Sequence, residues 1–370
     1  MILPAFVFSS LEAPMKTPLL TSFLAALVAL PLQSAPPALE QREGDFVARN
    51  FRFQTGEVLP ELRLHYTTLG RPERDASGRV TNAVLLLHGT TGTGKSFLSP
   101  SLAGELFGPG QPLDASHHYV ILPDGIGRGG SSKPSDGLRA RFPRYGYQDV
   151  VAAQHLLVTE GLGVNHLRLV LGTSMGGMQT WLWGERYPDL MDALLPIASQ
   201  PTAIAGRNLL WRRLLTESIR QDPDWKGGDY PKPPSLWTRS YPIFTLMTDS
   251  PVRLQSQAPT REEASALYDR LAATALKTLD ANDTLYWFES SWDYNPEPDL
   301  GHIQARLVAV NFADDLINPA ELAVMDKLVA RIPKGRSVLV PAGPKTIGHQ
   351  TLTQAAVWKP YLVELLKVKD

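Results

Sequence analysis

One short stretch decides the fold: residues 167–177 read LRLVLGTSMGG. The apolar run before Gly172 predicts a buried strand, and the residues from Met175 onward have the periodicity of a helix. Between them stands Ser174 in the pattern G-x-S-x-G, in which a serine on a tight strand-to-helix turn projects its hydroxyl above a sheet. Glycines flank the serine at two positions either side, where the sharp turn brings the chain too close to its neighbours for side chains. The stretch therefore predicts a strand, a nucleophilic serine and a helix in succession.

The same alternation of strand and helix extends along the chain. Short apolar runs with little polar alternation, as a parallel sheet covered on both faces requires, occupy residues 82–88, 119–123, 167–172, 193–198, 307–312 and 337–341. Helical periodicity marks residues 147–160 and 175–186. We therefore predict an α/β fold with a mostly parallel central sheet and helices on both faces.

The pattern changes between residues 200 and 301, where no buried strand is evident and five of the eight tryptophans fall. We predict a helical insertion over the sheet there, called the lid insertion below, with residues 36–199 and 302–370 forming the α/β core. We interpret its tryptophans as the insertion's own core, because large aromatics dominate burial. They are Trp211, Trp225, Trp237, Trp287 and Trp292. The 370 residues then form one α/β body with an insertion rather than two separate domains.

The composition removes several classes of function. With 36 basic and 37 acidic residues the formal charge is −1, so the chain lacks the positive surplus typical of proteins that bind nucleic acid or anionic membranes. The chain has no cysteine, which excludes disulfides, thiolate metal sites and a cysteine nucleophile. We expect no cofactor and no metal.

Chain order selects the histidine that serves the serine. In this architecture the acid and then the histidine follow the nucleophile along the chain. Only His302 and His349 lie beyond Ser174, and His302 comes before the strand predicted over residues 307–312. His349 therefore remains as the general base that accepts the proton of the serine.

The acid is expected just past residues 307–312, and two neighbouring aspartates qualify. Asp314 and Asp315 both stand in the sequence ADDLINP. Asp315 is preferred because the acid turn of such enzymes usually carries a proline four residues on, here Pro319. Asp314 stays open as the alternative, since a single sequence can place the acid wrongly by one residue.

A second motif competes for the loop after the first buried run. Residues 89–96 read GTTGTGKS, which satisfies the phosphate-loop pattern G-x-x-x-x-G-K-[ST], and the run 119–124 ends in Asp124 as a magnesium-holding strand would. A P-loop nucleotide-binding protein is thus the remote alternative. On the acyl-transfer interpretation, the same loop supplies the backbone N–H of Thr90 to an oxyanion hole completed by the N–H of Met175.

The N-terminus carries the pattern of an export signal. After Met15 and Lys16 comes an apolar run, residues 19–32, which is followed by small residues and a Pro-rich stretch. Spanning a bilayer needs about 20 apolar residues, whereas a cleavable signal needs about 7–15. We interpret residues 1–35 as a signal peptide with an upstream extension. We expect an exported protein, periplasmic or secreted, without stable membrane insertion after cleavage.

Three stretches resemble the homoserine O-acetyltransferase family of α/β-hydrolases: residues 124–132 (DGIGRGGSS), 172–181 (GTSMGGMQTW) and 221–230 (QDPDWKGGDY). The resemblance implies the α/β-hydrolase fold and a catalytic triad of Ser174, Asp315 and His349. It also implies an acyl group carried on the serine beneath a helical lid that forms a tunnel. A homodimer through the lid insertion is left open.

Departures from that family bear on the acceptor of the acyl group. Gln350 follows the histidine, where the family has an aspartate that contacts the amine of homoserine, and a neutral amide does not pair with an ammonium as a carboxylate does. The lid's Arg-Phe-Gly run for the substrate carboxylate is not found, and residues 88–92 read HGTTG rather than HALTG. Acyl-CoA is a cytoplasmic acyl donor, and for an exported enzyme water is the most available acceptor. We therefore expect hydrolysis of small acyl esters, with acyl transfer from acyl-CoA as the alternative.

Overall fold

The computed structural model describes residues 40–367, and its centre is one eight-stranded sheet. The strands are β1 (Gln41–Arg52), β2 (Val58–Leu69), β3 (Ala83–Leu87), β4 (Tyr119–Pro123), β5 (Leu169–Thr173), β6 (Ala193–Ile197), β7 (Arg306–Phe312) and β8 (Gly335–Val340). Their order across the sheet is β1-β2-β4-β3-β5-β6-β7-β8. The signal peptide predicted over residues 1–35 lies outside the described residues, so export stays a prediction.

Strands β3 to β8 are parallel, and β3 to β7 are covered on both faces. Successive side chains of β3 show why: Leu85 and Leu87 belong to one buried cluster, and Val84 and Leu86 belong to the cluster on the opposite face. Strands of this kind appear in a sequence as continuous apolar runs. The predicted fold class, an α/β fold with a mostly parallel sheet, is confirmed.

The hairpin of β1 and β2 has no counterpart among the predicted strands. It adds two antiparallel strands to the edge of the sheet beyond β4. Most residues of β1 are exposed, so its sequence lacks the apolar run of a strand covered on both faces. Strand β5 begins at Leu169 rather than at Leu167, which makes only an isolated bridge to Met191.

Helices cover both faces of the sheet. Within residues 40–367 they are α1 (Pro100–Leu106), α2 (Tyr147–Leu156), α3 (Met175–Arg186), α4 (Gly206–Arg220), α5 (Pro242–Thr248), α6 (Pro251–Gln257), α7 (Arg261–Thr278), α8 (Ala281–Glu289), α9 (Val324–Val329) and α10 (Ala355–Lys367). Helices α2 and α3 bury Tyr147 and Trp181 against one face. Helices α1 and α10 bury Leu106 and Trp358 against the other. None of the helices in this range is long and apolar enough to cross a membrane.

The lid insertion is helical, with α4 to α8 lying between β6 and β7. It has an apolar cluster of its own around Trp237, and a second cluster around Trp211 that also includes Ile317 of the α/β core. The interpretation of all five tryptophans as insertion core is wrong for two of them. Trp292 is 46% exposed, and Trp287 packs against Arg128 from the loop after β4, with 3.6 Å between the guanidinium carbon and the ring centre. Trp287 therefore joins the insertion to the α/β core.

Replacement of Gly176 by alanine tests how closely β3 and α3 approach. A Cβ at Gly176 would stand 1.9 Å from the carbonyl oxygen of Leu87, so backbone must move to admit it. We expect Gly176→Ala to lower the free energy of unfolding by about 1–3 kcal/mol or more in a denaturant titration. The matched control is Gly104→Ala in α1, where a Cβ meets nothing within 4 Å. That change should raise stability by about 0.5–1 kcal/mol, and equal effects of the two substitutions would contradict the close approach.

Candidate active site

Ser174 occupies the turn between β5 and α3. Its backbone has φ 53° and ψ −113°, a conformation that costs a non-glycine residue roughly 1–3 kcal/mol. The turn is held by its surroundings: the Ser174 N–H donates to the carbonyl of Ile197 at 2.9 Å, and a Cβ at Gly172 would stand 2.0 Å from the carbonyl oxygen of Gly176. The glycines of the motif are therefore required by close backbone approach. The serine side chain stays partly exposed above the sheet.

The structure brings Ser174, His349 and Asp315 together in one hydrogen-bonded series. The Nε2 atom of His349 lies 2.8 Å from the Oγ atom of Ser174, and its Nδ1 atom lies 2.8 Å from Oδ2 of Asp315. Asp315 follows β7 and His349 follows β8, so parallel strands deliver both side chains to the same edge of the sheet. The His349 side chain is 5% exposed and the Asp315 side chain is fully buried. This arrangement can draw a proton from the serine hydroxyl.

Asp315 is held as an anion by several donors. Its Oδ1 atom accepts the N–H groups of Ile317 at 2.7 Å and Asn318 at 3.2 Å, and its Oδ2 atom accepts the side-chain N–H of Asn318 at 3.0 Å. Burial alone would raise the pKa of Asp315, but the charge and hydrogen bond of His349, together with Asn318, hold that pKa below its ordinary value. Asn318 was not singled out as a site residue from the sequence. The sequence indicates Asn318 only as a side-chain amide in the turn after a buried strand, close to the candidate acid.

Asp314 has a different partner. Its Oδ2 atom accepts the backbone N–H of Gly348 at 3.0 Å, in the turn that carries His349. Gly348 has φ 66°, a conformation that favours glycine. The geometry therefore joins Asp315, and not Asp314, to the imidazole, while Asp314 fixes the backbone immediately before it.

The loop after β3 lies against the serine, as an oxyanion-hole loop should. A Cβ at Gly89 would stand 3.5 Å from the Cβ of Ser174. Among the described residues, no acceptor pairs with the N–H of Thr90 or with that of Met175, the first residue of α3. Both amides are thus free to donate to a developing oxyanion, and the start of a helix favours negative charge there.

His88 and Arg128 hold this loop in place, and sequence reasoning assigned a role to neither. The Nδ1–H group of the buried His88 donates to the carbonyl of Gly89 at 2.8 Å, and its Nε2 atom accepts the N–H of Gly125 at 3.0 Å. The Nε–H group of Arg128 donates to the carbonyl of Gly92 at 2.9 Å. The signals for His88 were its place at the end of an apolar strand and the histidine that begins both HGTTG and the family's HALTG.

The residues that suggested a phosphate loop have other partners. The ammonium of Lys95 pairs with the carboxylate of Glu43 at 2.7 Å on the surface. The carboxylate of Asp124 accepts the N–H groups of Gly94 at 2.7 Å and Gly130 at 2.9 Å, so it fixes two loops. Residues 94–98 form a short 3₁₀ turn rather than the long helix whose N–H groups would face a phosphate. The geometry of this loop favours the oxyanion role over nucleotide binding.

Two cavities meet at Ser174. The first, of about 680 Å³, is bordered by Ser174, Asp315, Met178 and Arg212, and we call it the acid-side cavity. The second, of about 390 Å³, is bordered by Ser174, Thr90, His349 and Gln350, and we call it the histidine-side cavity. Within residues 40–367, no three His, Asp or Glu side chains are grouped so as to hold a metal ion.

The sequence is similar to that of proteins of the α/β hydrolase fold. A family model described as alpha/beta hydrolase fold matches residues 82–344. A homoserine O-acetyltransferase of Thermobifida fusca is 38% identical over 48% of this chain and 49% of its own length. A probable acyltransferase of Methanothermobacter thermautotrophicus is 27% identical over 87% of this chain and 96% of its own length. The chain therefore matches about half the length of the first relative and nearly all of the second.

Solved structures share the same fold. Homoserine O-acetyltransferase from Bacillus anthracis superposes with a TM-score of 0.78 at 19% identity, over 89% of this chain and 98% of that one. An acetylester hydrolase from Corynebacterium glutamicum superposes with a TM-score of 0.76 at 22% identity, over 88% of this chain and 96% of that one. At these identities the likeness establishes the fold.

His88 makes stability depend on pH. Burial lowers the pKa of His88 to about 4, and the hydrogen bond to Gly89 offsets this only in part. Between pH 6.5 and about 4 the imidazole of His88 is protonated in the unfolded chain but neutral in the folded protein. The free energy of unfolding therefore falls as pH falls through this range. The free energy of unfolding should therefore depend less steeply on pH in His88→Gln. The slope should fall by up to about 1.4 kcal/mol per pH unit, which corresponds to one proton. Equal slopes in urea titrations of the two proteins between pH 7 and 5 would contradict the buried neutral imidazole.

Proposed function

The chain belongs to the α/β hydrolase fold family, and on that premise we propose that Ser174, His349 and Asp315 are the catalytic triad of an acyl-transfer enzyme. The observation that carries the proposal is the hydrogen-bonded series from serine to histidine to aspartate, 2.8 Å at each step. Support also comes from the acyltransferases among its relatives.

The proposed reaction has two halves. His349 takes the proton of the Ser174 hydroxyl while Oγ attacks the acyl carbonyl. The resulting oxyanion accepts hydrogen bonds from the backbone N–H groups of Thr90 and Met175. The bond to the leaving oxygen or sulfur then breaks, and the imidazolium returns its proton to that atom, which leaves an acyl-enzyme. In the second half an acceptor hydroxyl loses its proton to His349 and attacks the acyl carbon. The bond between that carbon and Oγ then breaks, and the imidazolium returns the proton to Oγ of Ser174. Asp315 stabilises the imidazolium in both halves without taking the proton.

Acyl transfer and ester hydrolysis differ in the acceptor of the acyl group, which is an alcohol in the first and water in the second. The curated relatives, a homoserine O-acetyltransferase and a probable acyltransferase, favour transfer to an acceptor over the ester hydrolysis expected from the sequence. We therefore propose acyl transfer to an alcohol as the reaction. Hydrolysis is the second candidate, because the neutral Gln350 borders the histidine-side cavity and provides no charge for an amine-bearing acceptor.

A paired assay tests the nucleophile and the acceptor. One arm supplies acetyl-CoA with homoserine, and the other supplies 4-nitrophenyl acetate with and without homoserine or simple alcohols. We expect alcohol-dependent release of CoA or nitrophenol together with an O-acetyl product. Ser174→Ala should lower both rates by roughly 10⁴-fold or more, whereas Lys95→Ala, a change to an exposed surface lysine, should leave them unchanged. Release that no alcohol accelerates would assign hydrolysis instead, and activity in Ser174→Ala would remove the proposed nucleophile.

The two neighbouring aspartates provide a matched pair of variants. In Asp315→Asn an amide faces the Nδ1 atom of His349, which favours the wrong imidazole tautomer, so kcat at neutral pH should fall by about 10⁴-fold. Asp314→Asn keeps an oxygen that accepts the Gly348 N–H, so its loss should be much smaller. Ester turnover by the two purified variants gives the comparison. The reverse order of losses would assign the acid role to Asp314.

A further inference from the structure

The two cavities at Ser174 have different roles if the proposed function holds, on which this inference rests. The imidazolium must return its proton to the leaving atom, so the leaving group and the acceptor have to lie beside His349. His349 borders the histidine-side cavity but not the acid-side cavity. The acid-side cavity is therefore left for the acyl chain. Its volume of about 680 Å³ is far larger than an acetyl group requires.

A buried cation borders this acyl cavity. Arg212 of α4 is only 4% exposed, and its guanidinium lies 5.0 Å from the ring centre of Trp211 and 5.9 Å from that of Phe288. Its Nε–H group donates to the side chain of Asn208 at 2.9 Å. No carboxylate pairs with it among residues 40–367. Its Nη1 atom is buried without a hydrogen bond of good geometry, and the neighbour that interacts with its charge is the neutral hydroxyl of the buried Tyr147. The guanidinium therefore lacks the counter-ion that a buried charge ordinarily has.

The acidic side chains nearby do not serve as the counter-ion of Arg212. Asp315, which borders the same cavity, is engaged by His349 and Asn318. Glu321 also borders it but is exposed to solvent. Glu217 and Glu289, which border a neighbouring cavity with Arg212, pair instead with Arg213 and Arg220. Burial lowers the pKa of Arg212, and the nearby Tyr147 opposes this only in part, as expected for a cation without a counter-ion.

We propose that the acid-side cavity binds acyl chains that end in a carboxylate, and that Arg212 pairs with this carboxylate. A guanidinium offers a planar fork of donors that matches a carboxylate, and a single fixed positive charge matches its single negative charge. The preferred acyl donors are then half-esters or half-thioesters of dicarboxylic acids. The remote carboxylate takes no part in bond making; it holds the chain so that the other carbonyl lies at Ser174.

A series of paired substrates tests the proposal. The 4-nitrophenyl half-esters of glutaric, adipic and pimelic acid are compared with the same chains capped as methyl esters, with the uncatalysed rate subtracted. At the best chain length, kcat/KM of the wild-type enzyme should be higher for the free carboxylate than for its capped partner. In Arg212→Met this ratio should fall by roughly ten- to a hundredfold, and Arg212→Lys should keep part of it. Arg213→Met is the matched control, because Arg213 lies next on the same helix but is exposed and pairs with Glu217.

A binding measurement separates this inference from the proposed function. In the Ser174→Ala protein, free adipate or pimelate should raise the thermal midpoint, and the added change Arg212→Met should abolish the rise. A wild-type preference for the capped ester at every length, or an unchanged ratio in Arg212→Met, would overturn the carboxylate site. The proposed triad would stand in that case, because it is judged by the dependence of 4-nitrophenyl acetate turnover on Ser174. If Arg212→Met does not fold, the wild-type preference and the Arg212→Lys ratio still decide.

Discussion

The strained turn at Ser174 is the constraint on which the rest of the site depends. A residue with φ 53° and ψ −113° persists only where its surroundings leave the backbone no alternative. Here the surroundings are backbone atoms: Gly172 lies against the carbonyl of Gly176, and Gly176 lies against the carbonyl of Leu87 at the end of β3. The contact that fixes the serine therefore also fixes α3 and the loop after β3 beside it, which brings the Met175 and Thr90 amides to the same place.

The parallel sheet explains how residues far apart in the sequence meet. Thr90, Ser174, Asp315 and His349 follow β3, β5, β7 and β8, and the carboxyl ends of parallel strands share one edge of the sheet. The lid insertion is tied to that edge rather than lying loosely over it. Ile317 of the acid turn belongs to the apolar cluster of Trp211, and Trp287 packs against Arg128, whose guanidinium holds the loop after β3. Through α4 the insertion also brings Arg212 to the wall of the acid-side cavity.

Much of this followed from the sequence, for reasons that also explain the failures. Strands β3 to β7 were predictable because burial on both faces requires unbroken apolar runs. His349 was selected by chain order alone. Asp314 and Asp315 could not be separated by order, because two adjacent residues differ only in the direction their side chains take within a turn. The phosphate-loop pattern reports spacing but not partners, and in the structure Lys95 and Asp124 pair with Glu43 and with backbone amides. The β1–β2 hairpin was missed because most residues of β1 are exposed and neither strand has a sustained apolar run.

We propose that this turn makes Ser174 a covalent carrier of the acyl group. Mass spectrometry of enzyme quenched within milliseconds of mixing with 4-nitrophenyl acetate tests it most directly. We expect an acetyl adduct that approaches one per chain, maps to the peptide containing Ser174, and disappears when the ester is exhausted. An adduct on another residue that turns over at the catalytic rate, or steady turnover with no adduct at Ser174 under conditions where deacylation is slow, would contradict it.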